Sequence, residues 1–471
     1  MAVTHATMQA INPATGEVIA EYDEWTPNQV EAALAQVHEA FRSWRNTAYD
    51  ERARLMHAAA DYLRENVERF ARLITDEMGK PITEAEAEIK KCAWNCDFYA
   101  DRAREFLADE PVATNARESL VGFEPLGPVL AIMPWNFPFW QVFRFAAPAL
   151  MARNVAVLKH SANVPGSALA IEEVFRATGF PEGVFRTFLI SSGAAEKVIA
   201  DPRIAAVTLT GSSAAGRKVA AAAGSVLKKA VLELGGSDPF IVLADADLEG
   251  AVEFAVKARY QNTGQSCIAA KRFIVVEEIA DEFERRFADS VRALPVGNPL
   301  DRQTRVGPLA REDLLDELDR QVLESVQAGA RIATGGQRLD RPGYFYAPTV
   351  LTEVQPEMPA FREETFGPVA AVIRVGDEER AVELANDSPY GLGGNLWTRD
   401  NERGKQLARR IESGNVFING MTASDPRLPF GGVKESGYGR ELSHFGIREF
   451  TNVQTIWVGP AQGEQATSPA E

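Results

Sequence analysis

Short apolar runs alternate with stretches of helical spacing along most of the chain from about residue 129. In the first part of this pattern, we predict strands at 129–133, 155–159, 184–190, 206–210 and 229–234, with helices at 164–178 and 214–223. Such alternation is typical of a parallel sheet covered by helices. Ligands bind at the carboxyl ends of parallel strands, and polar residues such as Lys159 and Glu233 lie at these ends. The pattern therefore predicts an α/β fold with a binding site at one edge of a sheet.

A second alternating unit begins near residue 247. It predicts strands at 272–276, 370–375 and 415–419, and helices at 280–294, 312–328, 378–386 and 402–412. Ahead of both units, Thr26, Pro27 and Gln29 form the capping-box pattern of a helix start, and more helix follows to about residue 107. Strands at 118–124 and 129–133 flank a turn, and a last strand is predicted at 450–458. A chain of 471 residues is too long for one core, so we expect at least two domains.

The composition excludes several classes of function. The chain is 45% hydrophobic and 25% charged, with a formal net charge of −16, so it does not suit nucleic acid or anionic lipid as a partner. Its most apolar stretch, 127–158, contains four prolines and two arginines and is not a clean membrane span. The N-terminal residues lack the pattern of a signal peptide. We therefore expect a cytoplasmic protein.

The three cysteines differ in their surroundings. Cys92 and Cys96 are four residues apart in a predicted helix without a nearby histidine, so we interpret them as structural thiols and predict no metal site. Cys267 ends the segment 260–267 (YQNTGQSC), where Gly264 allows a sharp bend and the neighbouring side chains are small or polar. A single cysteine is more often a buried structural residue, but these surroundings are unlike those of an inert core thiol. Cys267 is the candidate nucleophile.

Two other segments supply groups that such a nucleophile needs. The segment 231–236 (VLELGG) places Glu233 at the end of an apolar run, and apolar walls favour the neutral carboxyl, which suits a general base. The segment 133–138 (MPWNFP) holds Asn136 in a proline-framed turn, where its amide can donate to a developing oxyanion. A Cys-His hydrolase is an alternative, but none of the five histidines lies in a recognisable base motif.

These three segments match the motifs PWNFP, ELGG and GQxC, and the chain resembles the aldehyde dehydrogenase superfamily. Further family motifs follow in order at 158–159 (LK), 210–212 (TGS), 363–368 (EETFGP) and 429–434 (PFGGVK). The resemblance implies an α/β fold with two Rossmann-like parallel-sheet domains and a small β oligomerisation element. It assigns 1–117 and 131–245 to the cofactor-binding domain and 246–445 to the catalytic domain that carries Cys267.

The same resemblance implies a homodimer or homotetramer. A hairpin at 118–130 would leave the body of the subunit, and the strand within 446–460 would pair with it across subunits. We expect residues 461–471, which are small and polar, to be disordered.

The resemblance also implies a chemical mechanism. Cys267 attacks an aldehyde, Asn136 and the Cys267 N–H stabilise the oxyanion, and a thioester remains on Cys267 after hydride transfer. Glu233 then activates the water that hydrolyses the thioester to a carboxylic acid. Some members of the superfamily are structural lens proteins, but the cysteine and the glutamate of the enzymes are both present here.

The implied cofactor is NADP or NAD. Gly211 and Ser212 are expected at its pyrophosphate, and Glu364 and Phe366 at the nicotinamide ribose and ring. Lys159 is expected at the adenine-side ribose and is also a candidate catalytic residue. The remaining candidates lie beside these residues or in the motifs that carry the resemblance: Trp135, Asn136, His160, Ser161, Ala162 and Leu234. Family members that prefer NAD often have a glutamate at the position of Ala162, so its absence predicts that NADP is accepted.

The candidate substrate residues are Arg144, Ser424 and Trp140. In succinate-semialdehyde dehydrogenases an arginine at the position of Arg144, with a serine from a late loop, holds the substrate carboxylate, so the chain resembles that branch. A buried ion pair is an equal alternative for Arg144. The predicted substrate is succinate semialdehyde; glutarate semialdehyde or an uncharged aliphatic or aromatic aldehyde is the alternative. Ala269 replaces the second cysteine of some relatives, so a local disulfide switch is not expected.

Overall fold

Strands and helices alternate through most of the chain, as the sequence predicted. The structure is a computed structural model that describes residues 6–459. Its strands are β1 (Thr7–Asn12), β2 (Glu17–Asp23), β3 (Glu110–Pro111), β4 (Glu118–Pro125), β5 (Pro128–Met133), β6 (Val155–His160), β7 (Phe185–Thr187), β8 (Ala206–Thr210), β9 (Lys229–Glu233), β10 (Asp238–Val242), β11 (Ala270–Val276), β12 (Arg331–Thr334), β13 (Thr349–Thr352), β14 (Val369–Val375), β15 (Tyr390–Gly391), β16 (Gly393–Trp397), β17 (Asn415–Ile418), β18 (Val433–Lys434), β19 (Gly437–Tyr438) and β20 (Thr451–Val458).

The helices pack on both faces of the sheets. They are α1 (Pro27–Trp44), α2 (Tyr49–Glu65), α3 (Val67–Met78), α4 (Ile82–Phe106), α5 (Trp140–Met151), α6 (Pro165–Ala177), α7 (Ser192–Ala200), α8 (Ser213–Ser225), α9 (Leu248–Tyr260), α10 (Glu277–Arg292), α11 (Glu312–Gln327), α12 (Pro359–Arg362), α13 (Glu378–Asn386), α14 (Asn401–Ala408) and α15 (Ser443–Glu449). The predicted capping box is confirmed, since Thr26 Oγ1 accepts from the Gln29 N–H and Gln29 Oε1 accepts from the Thr26 N–H. The predicted strand 184–190 and helix 402–412 are shorter in the structure, as β7 and α14.

The first sheet has the order β19-β9-β8-β5-β6-β7 and is parallel from β9 to β7. Its central strands are buried and rich in Val, Leu, Ile and Ala, which is the expected pattern for a parallel sheet covered on both faces. The largest hydrophobic cluster combines this sheet with the helices from α1 to α6.

The second sheet has the order β12-β13-β14-β11-β10-β16-β17, with only β12 antiparallel to its neighbour. Two further hydrophobic clusters lie on its faces. Strand β10 belongs to this sheet, so the second unit begins before the predicted boundary at 245/246.

The predicted hairpin at 118–130 is wrong. Strand β4 pairs with β3 and β20 in a separate antiparallel ribbon, whereas β5 joins the first sheet. Strand β20 pairs with β4 of the same chain, so the predicted pairing of these two segments forms within one subunit. The prediction failed because two apolar strands around a short Gly-Pro turn have the pattern of a hairpin, even when the chain passes from one sheet to another at that turn.

Two further predictions concern the C-terminal segment and membrane-spanning helices. The predicted disordered segment 461–471 lies outside the described residues. Within residues 6–459, no helix combines the length and the apolar character that crossing a membrane requires.

Candidate active site

A cavity of about 170 Å³ brings four of the predicted residues together. Trp140 and Arg144 project from the same face of α5, since they lie four residues apart. Ser424 comes from the loop after β17, and Cys267 from the loop between α9 and β11. The candidate nucleophile and all three predicted substrate residues therefore line one pocket.

The backbone before Cys267 is left-handed over three consecutive residues. Asn262, Thr263 and Gly264 have φ angles of 53°, 56° and 74°. A Cβ on Gly264 would overlap the carbonyl oxygen of Gly367, so the sharp bend predicted here requires glycine. The other two residues store backbone strain, which is common at functional sites.

Two buried cations that the sequence analysis missed hold this loop. The Arg259 guanidinium donates to the carbonyls of Gly264 at 2.9 Å and Thr365 at 3.1 Å, and so joins the Cys267 loop to the 363–368 motif. Lys271 Nζ donates to the carbonyls of Ser266 and Cys267, each at 3.0 Å. A charged residue inside an apolar strand needs polar partners, and Lys271 in the run 270–276 was the available signal.

The Cys267 thiol is protonated in this environment. Burial raises the pKa of the Cys267 thiol to about 12, while the positive charges of Arg144 and Lys271 oppose the shift. Cys92 and Cys96 are completely buried, and burial likewise raises the pKa of each thiol. Only Cys267 of the three cysteines lines the cavity.

Asn136 is fixed next to the Cys267 loop. Its Nδ2 donates to the backbone carbonyl of Gln265 at 3.1 Å, and the backbone carbonyl of Asn136 accepts from Asn262 Nδ2 at 2.8 Å. A side-chain amide has two N–H donors, so one remains for a second acceptor. Asn136 is buried and does not itself line the cavity.

Glu233 ends β9 and does not line the cavity. Its Oε1 approaches the space that a Cβ on Gly431 would occupy, at 2.7 Å. Neither carboxyl oxygen has a hydrogen-bond partner within residues 6–459. Burial and the nearby negative charge of Glu441 raise the pKa of Glu233 well above its usual range, so its carboxyl is neutral here. The structure brings Glu233 near the site without bringing it into the pocket.

Arg144 forms the buried ion pair that was considered as the alternative for it, and it also lines the cavity. The ion pair joins its Nε to Glu441 Oε2. Its Nη2 donates to Thr210 Oγ1 at 3.4 Å, and its guanidinium lies 4.7 Å from the ring centroid of Phe430. The partner Glu441 lies far away in sequence, so only the fold could identify it.

A second groove, of about 520 Å³, lies at the carboxyl edge of the first sheet between α7 and α8. Ile132, Leu209 and Val219 give it apolar walls, and Lys159 projects into it. Within residues 6–459 no carboxylate forms an ion pair with the Lys159 ammonium; burial lowers the pKa of Lys159, and the negative charge of Glu24 opposes this shift. An apolar slot with a free cation fits the adenosine part of a dinucleotide and a 2′-phosphate. Sequence analysis missed its rim residues Ser192, Glu196 and Lys218.

The predicted pyrophosphate loop leads into α8. Ser212 is the N-cap, and its Oγ accepts from the Ala215 N–H at 3.3 Å. The Gly211 N–H donates to the Glu233 carbonyl at 3.0 Å, which joins β8 to β9. Leu234 is buried just beyond β9. The helix start offers N–H groups that suit a phosphate.

The three residues that follow Lys159 lie in different surroundings. His160 is buried, with Nε2 2.9 Å from the Pro138 carbonyl and Nδ1 accepting from the Ser161 N–H, so it does not line the groove. Burial lowers the pKa of His160 to about 4. Ser161 Oγ donates to Asn163 Oδ1 at 2.6 Å, and Ala162 is exposed beside the end of β6.

The 363–368 loop folds onto the ELGG segment. Glu364 Oε1 accepts from the Gly236 N–H at 3.0 Å, and burial raises the pKa of Glu364. The rings of Phe366 and Trp135 meet edge to face with centroids 5.7 Å apart. The expected nicotinamide residues therefore lie together next to the Cys267 loop. Within residues 6–459, no cluster of His, Cys, Asp and Glu side chains is arranged to hold a metal ion.

Comparisons with known proteins identify the family to which the chain is similar. The family model "Aldehyde dehydrogenase family" matches residues 2–456. The chain is 54% identical over 448 residues to "Probable succinate-semialdehyde dehydrogenase [NADP(+)]" of Synechocystis sp., which covers 95% of this chain and 99% of the relative. It is 52% identical over 451 residues to "Succinate-semialdehyde dehydrogenase [NADP(+)] 1" of Mycobacterium tuberculosis, with the same coverages of 95% and 99%.

A solved structure shows the same likeness in three dimensions. It is succinic semialdehyde dehydrogenase from Streptococcus pyogenes in complex with NADP+, which is 38% identical and superposes with a TM-score of 0.94 over 96% of this chain and 100% of that chain. The family model and the curated relatives span nearly the whole sequence. The chain belongs to the aldehyde dehydrogenase family.

Proposed function

We propose that this protein oxidises succinate semialdehyde to succinate with NADP+ as the oxidant. The observation that carries this proposal is the cavity that holds Cys267 together with Arg144 and Ser424. An aldehyde that reacts at Cys267 can place a second, negatively charged end near these polar groups. The two relatives and the solved structure described above bear the corresponding names.

Cys267 carries the covalent step. The Cys267 thiol first loses its proton to solvent; the thiolate Sγ then adds to the aldehyde carbon, and the carbonyl oxygen of this tetrahedral adduct takes up the negative charge. The free Asn136 N–H and the Cys267 backbone N–H stabilise this oxygen, and loss of one such donor typically costs about 10² to 10³ in rate. When bound, NADP+ supplies the acceptor for the hydride that the aldehyde carbon loses. Cys267 then holds the product as a thioester.

Glu233 completes the reaction as a general base. Its carboxyl has no hydrogen bond to hold it at Gly431, so it is free to rotate toward the thioester once the site is loaded. A neutral carboxyl cannot accept a proton, so Glu233 must first release its own proton to solvent; its raised pKa then makes the carboxylate a strong enough base to take a proton from water near neutral pH. Hydrolysis releases the carboxylic acid and regenerates the Cys267 thiol.

The second groove, into which Lys159 projects, supports NADP+ as the cofactor. Lys159 and Lys218 offer two cations to a 2′-phosphate, and Ala162 leaves no carboxylate at the position that would repel it. Glu196 is the acidic residue at the rim. We propose that the domain built on the first sheet binds the cofactor, that the second sheet positions Cys267, and that the enzyme works in the cytoplasm.

A panel of aldehydes tests the proposal. The purified enzyme is assayed with succinate semialdehyde, glutarate semialdehyde, butanal and benzaldehyde, each with NADP+ and NAD+, and kcat/KM is compared. We expect the highest value for succinate semialdehyde with NADP+. A higher kcat/KM for an uncharged aldehyde would contradict the substrate, and a higher value with NAD+ would contradict the cofactor.

A further inference from the structure

Lys91, which no sequence motif singled out, lies in the same cavity as Cys267. It projects from the middle of α4. Its Nζ donates to Ser424 Oγ at 2.7 Å and lies 4.3 Å from the ring centroid of Trp140. Lys91 therefore contacts two of the three residues that were expected to contact the substrate.

The two cations of the cavity differ in their partners. Arg144 is paired with the buried carboxylate of Glu441. Lys91 forms no ion pair with any carboxylate of residues 6–459. A carboxylate bound to Arg144 must share that cation with Glu441, and like charges in one buried site repel each other. A carboxylate bound to Lys91 has no ion-pair partner to displace, and the two acids that also line the cavity, Glu84 and Glu88, are bonded to other groups.

The acids nearest to Lys91 are already engaged. Asp425, which follows Ser424, is bonded to Arg427 at 2.6 Å. Glu88 lies one turn before Lys91 on α4, but it is paired with Lys80 and accepts the N–H groups at the start of α5. The positive charge of Lys91 is therefore available to a ligand.

Lys91 also has unused donors. An ammonium has three N–H donors, and within residues 6–459 only the bond to Ser424 uses one of them. Burial and the charge of Arg144 lower the pKa of Lys91 to about 8, so the amine is still mainly charged at neutral pH. A bound carboxylate would favour the charged form further.

We propose that Lys91 binds the distal carboxylate of a short ω-carboxy aldehyde, with Ser424 Oγ beside it, while Arg144 is held by Glu441 in a supporting role. This inference rests on the proposed function and specifies which cation of the pocket recognises the substrate charge.

Substitution of Lys91 tests the inference. Lys91→Met keeps the aliphatic stem over Trp140 and removes the charge, so kcat/KM for succinate semialdehyde should fall by about 30-fold, the lower range for loss of one partner of a buried charge pair. For butanal, which has no carboxylate, the change should stay within about threefold, because its transition state does not use the lysine. Lys91→Arg should retain most of the activity on succinate semialdehyde.

Lys90 provides a matched control. It precedes Lys91 on α4, and its side chain is exposed to solvent. Lys90→Met removes the same charge from the same helix, and it should leave kcat/KM unchanged for both aldehydes. A second readout is inhibition of butanal oxidation by succinate, which should weaken in Lys91→Met by a factor similar to the loss in kcat/KM.

Two results would overturn the role of Lys91. Equal losses on both aldehydes would show that the lysine is structural, and unchanged activity on succinate semialdehyde would assign the carboxylate to Arg144. If Lys91→Met does not fold, Lys91→Gln and succinate inhibition provide the same comparison. A parent enzyme that prefers butanal would instead contradict the proposed function itself.

Discussion

At the residue scale, burial dominates the chemistry of the site. It keeps the Cys267 thiol and the Glu233 carboxyl in their neutral forms, although Arg144 lowers the pKa of both groups. The three cysteines differ in their access to the cavity rather than in the acidity of their thiols, since Cys267 is the only one of them that lines the cavity. This contrast leads to the first prediction.

We predict that iodoacetamide modifies Cys267 slowly at pH 7 and faster at higher pH. A thiol with a pKa of about 12 stays mainly protonated below it, so the rate should rise about tenfold per pH unit from pH 7 to 10. Peptide mapping should show the label at Cys267 and not at the buried Cys92 or Cys96. A rate that levels off near pH 7 would show that the thiolate is already formed in the free enzyme.

Matched substitutions accompany this measurement. Cys267→Ala should abolish dehydrogenase activity, because the nucleophile is lost. Cys92→Ala and Cys96→Ala should keep most of the activity, since neither thiol reaches the cavity. Near-normal turnover by Cys267→Ala would contradict covalent catalysis at this residue.

The second prediction concerns Glu233. Glu233→Gln keeps the size of the side chain but removes the base, so the first hydride transfer should occur and hydrolysis of the thioester should be slow. Rapid mixing with succinate semialdehyde and NADP+ should then show a burst of NADPH followed by a slow steady state. Turnover at the parent rate without a burst would assign the base to another residue.

At the element scale, α5 links the pocket to the buried acids behind it. Trp140 and Arg144 share one face of this helix, and the ion pair of Arg144 with Glu441 connects α5 to the chain just before α15. Removal of one partner from a buried ion pair leaves the other charge unpaired. The effect of a mutation at Arg144 therefore extends beyond substrate binding.

We predict that Arg144→Leu lowers the free energy of unfolding by about 3–5 kcal/mol, because Glu441 remains buried without its partner. Activity on succinate semialdehyde and on butanal should both fall, since Arg144 also lowers the pKa of Cys267 and Glu233. Urea denaturation and kcat/KM measure the two effects. The double variant Arg144→Leu with Glu441→Leu should recover much of the stability.

The opposite result would also be informative. If Arg144→Leu keeps its stability and loses activity on succinate semialdehyde alone, Arg144 binds the carboxylate directly. The ion pair with Glu441 would then be dispensable.

The end of β6 carries the fourth prediction. Ala162 is exposed two residues after the strand whose Lys159 enters the cofactor groove. Ala162→Glu should shift the ratio of kcat/KM from NADP+ toward NAD+, because the new carboxylate repels a 2′-phosphate and accepts from ribose hydroxyls. An unchanged ratio would mean that Ala162 does not face the adenine-side ribose.

At the scale of the whole molecule, β20 offers the surface most suited to assembly. It pairs with β4 along one edge, and its other edge pairs with no strand of residues 6–459. Val453, Ile456 and Trp457 are exposed by 62%, 43% and 52%. An open strand edge with apolar side chains is a template for pairing with another chain. We propose that a homodimer or homotetramer forms through this strand.

The double variant Val453→Lys with Trp457→Lys should therefore give a smaller particle than the parent protein. Lysines on an open edge disfavour pairing between chains, and light scattering after size-exclusion chromatography measures the mass. Val18→Lys is the control, since Val18 is also exposed, by 50%, in the β1–β2 hairpin. Equal masses for the parent and the double variant would contradict assembly through β20.

The sequence alone was sufficient for what depends on local pattern. Alternating apolar and helical periods identified the parallel sheets, and Thr26 with Gln29 identified a helix start, because these signals lie within a few neighbouring residues. The motif around Cys267 was likewise identified from the sequence alone. The left-handed backbone before it agrees with the bend expected at Gly264.

Only the tertiary structure could decide which distant residues meet. Strands β4 and β5 are neighbours in sequence but belong to different sheets, and the ion pair of Arg144 with Glu441 joins residues nearly three hundred positions apart. The contact of Lys91 with Ser424 is equally remote in sequence. The charge of a buried group depends on the partners that packing brings to it, and no local pattern contains that information.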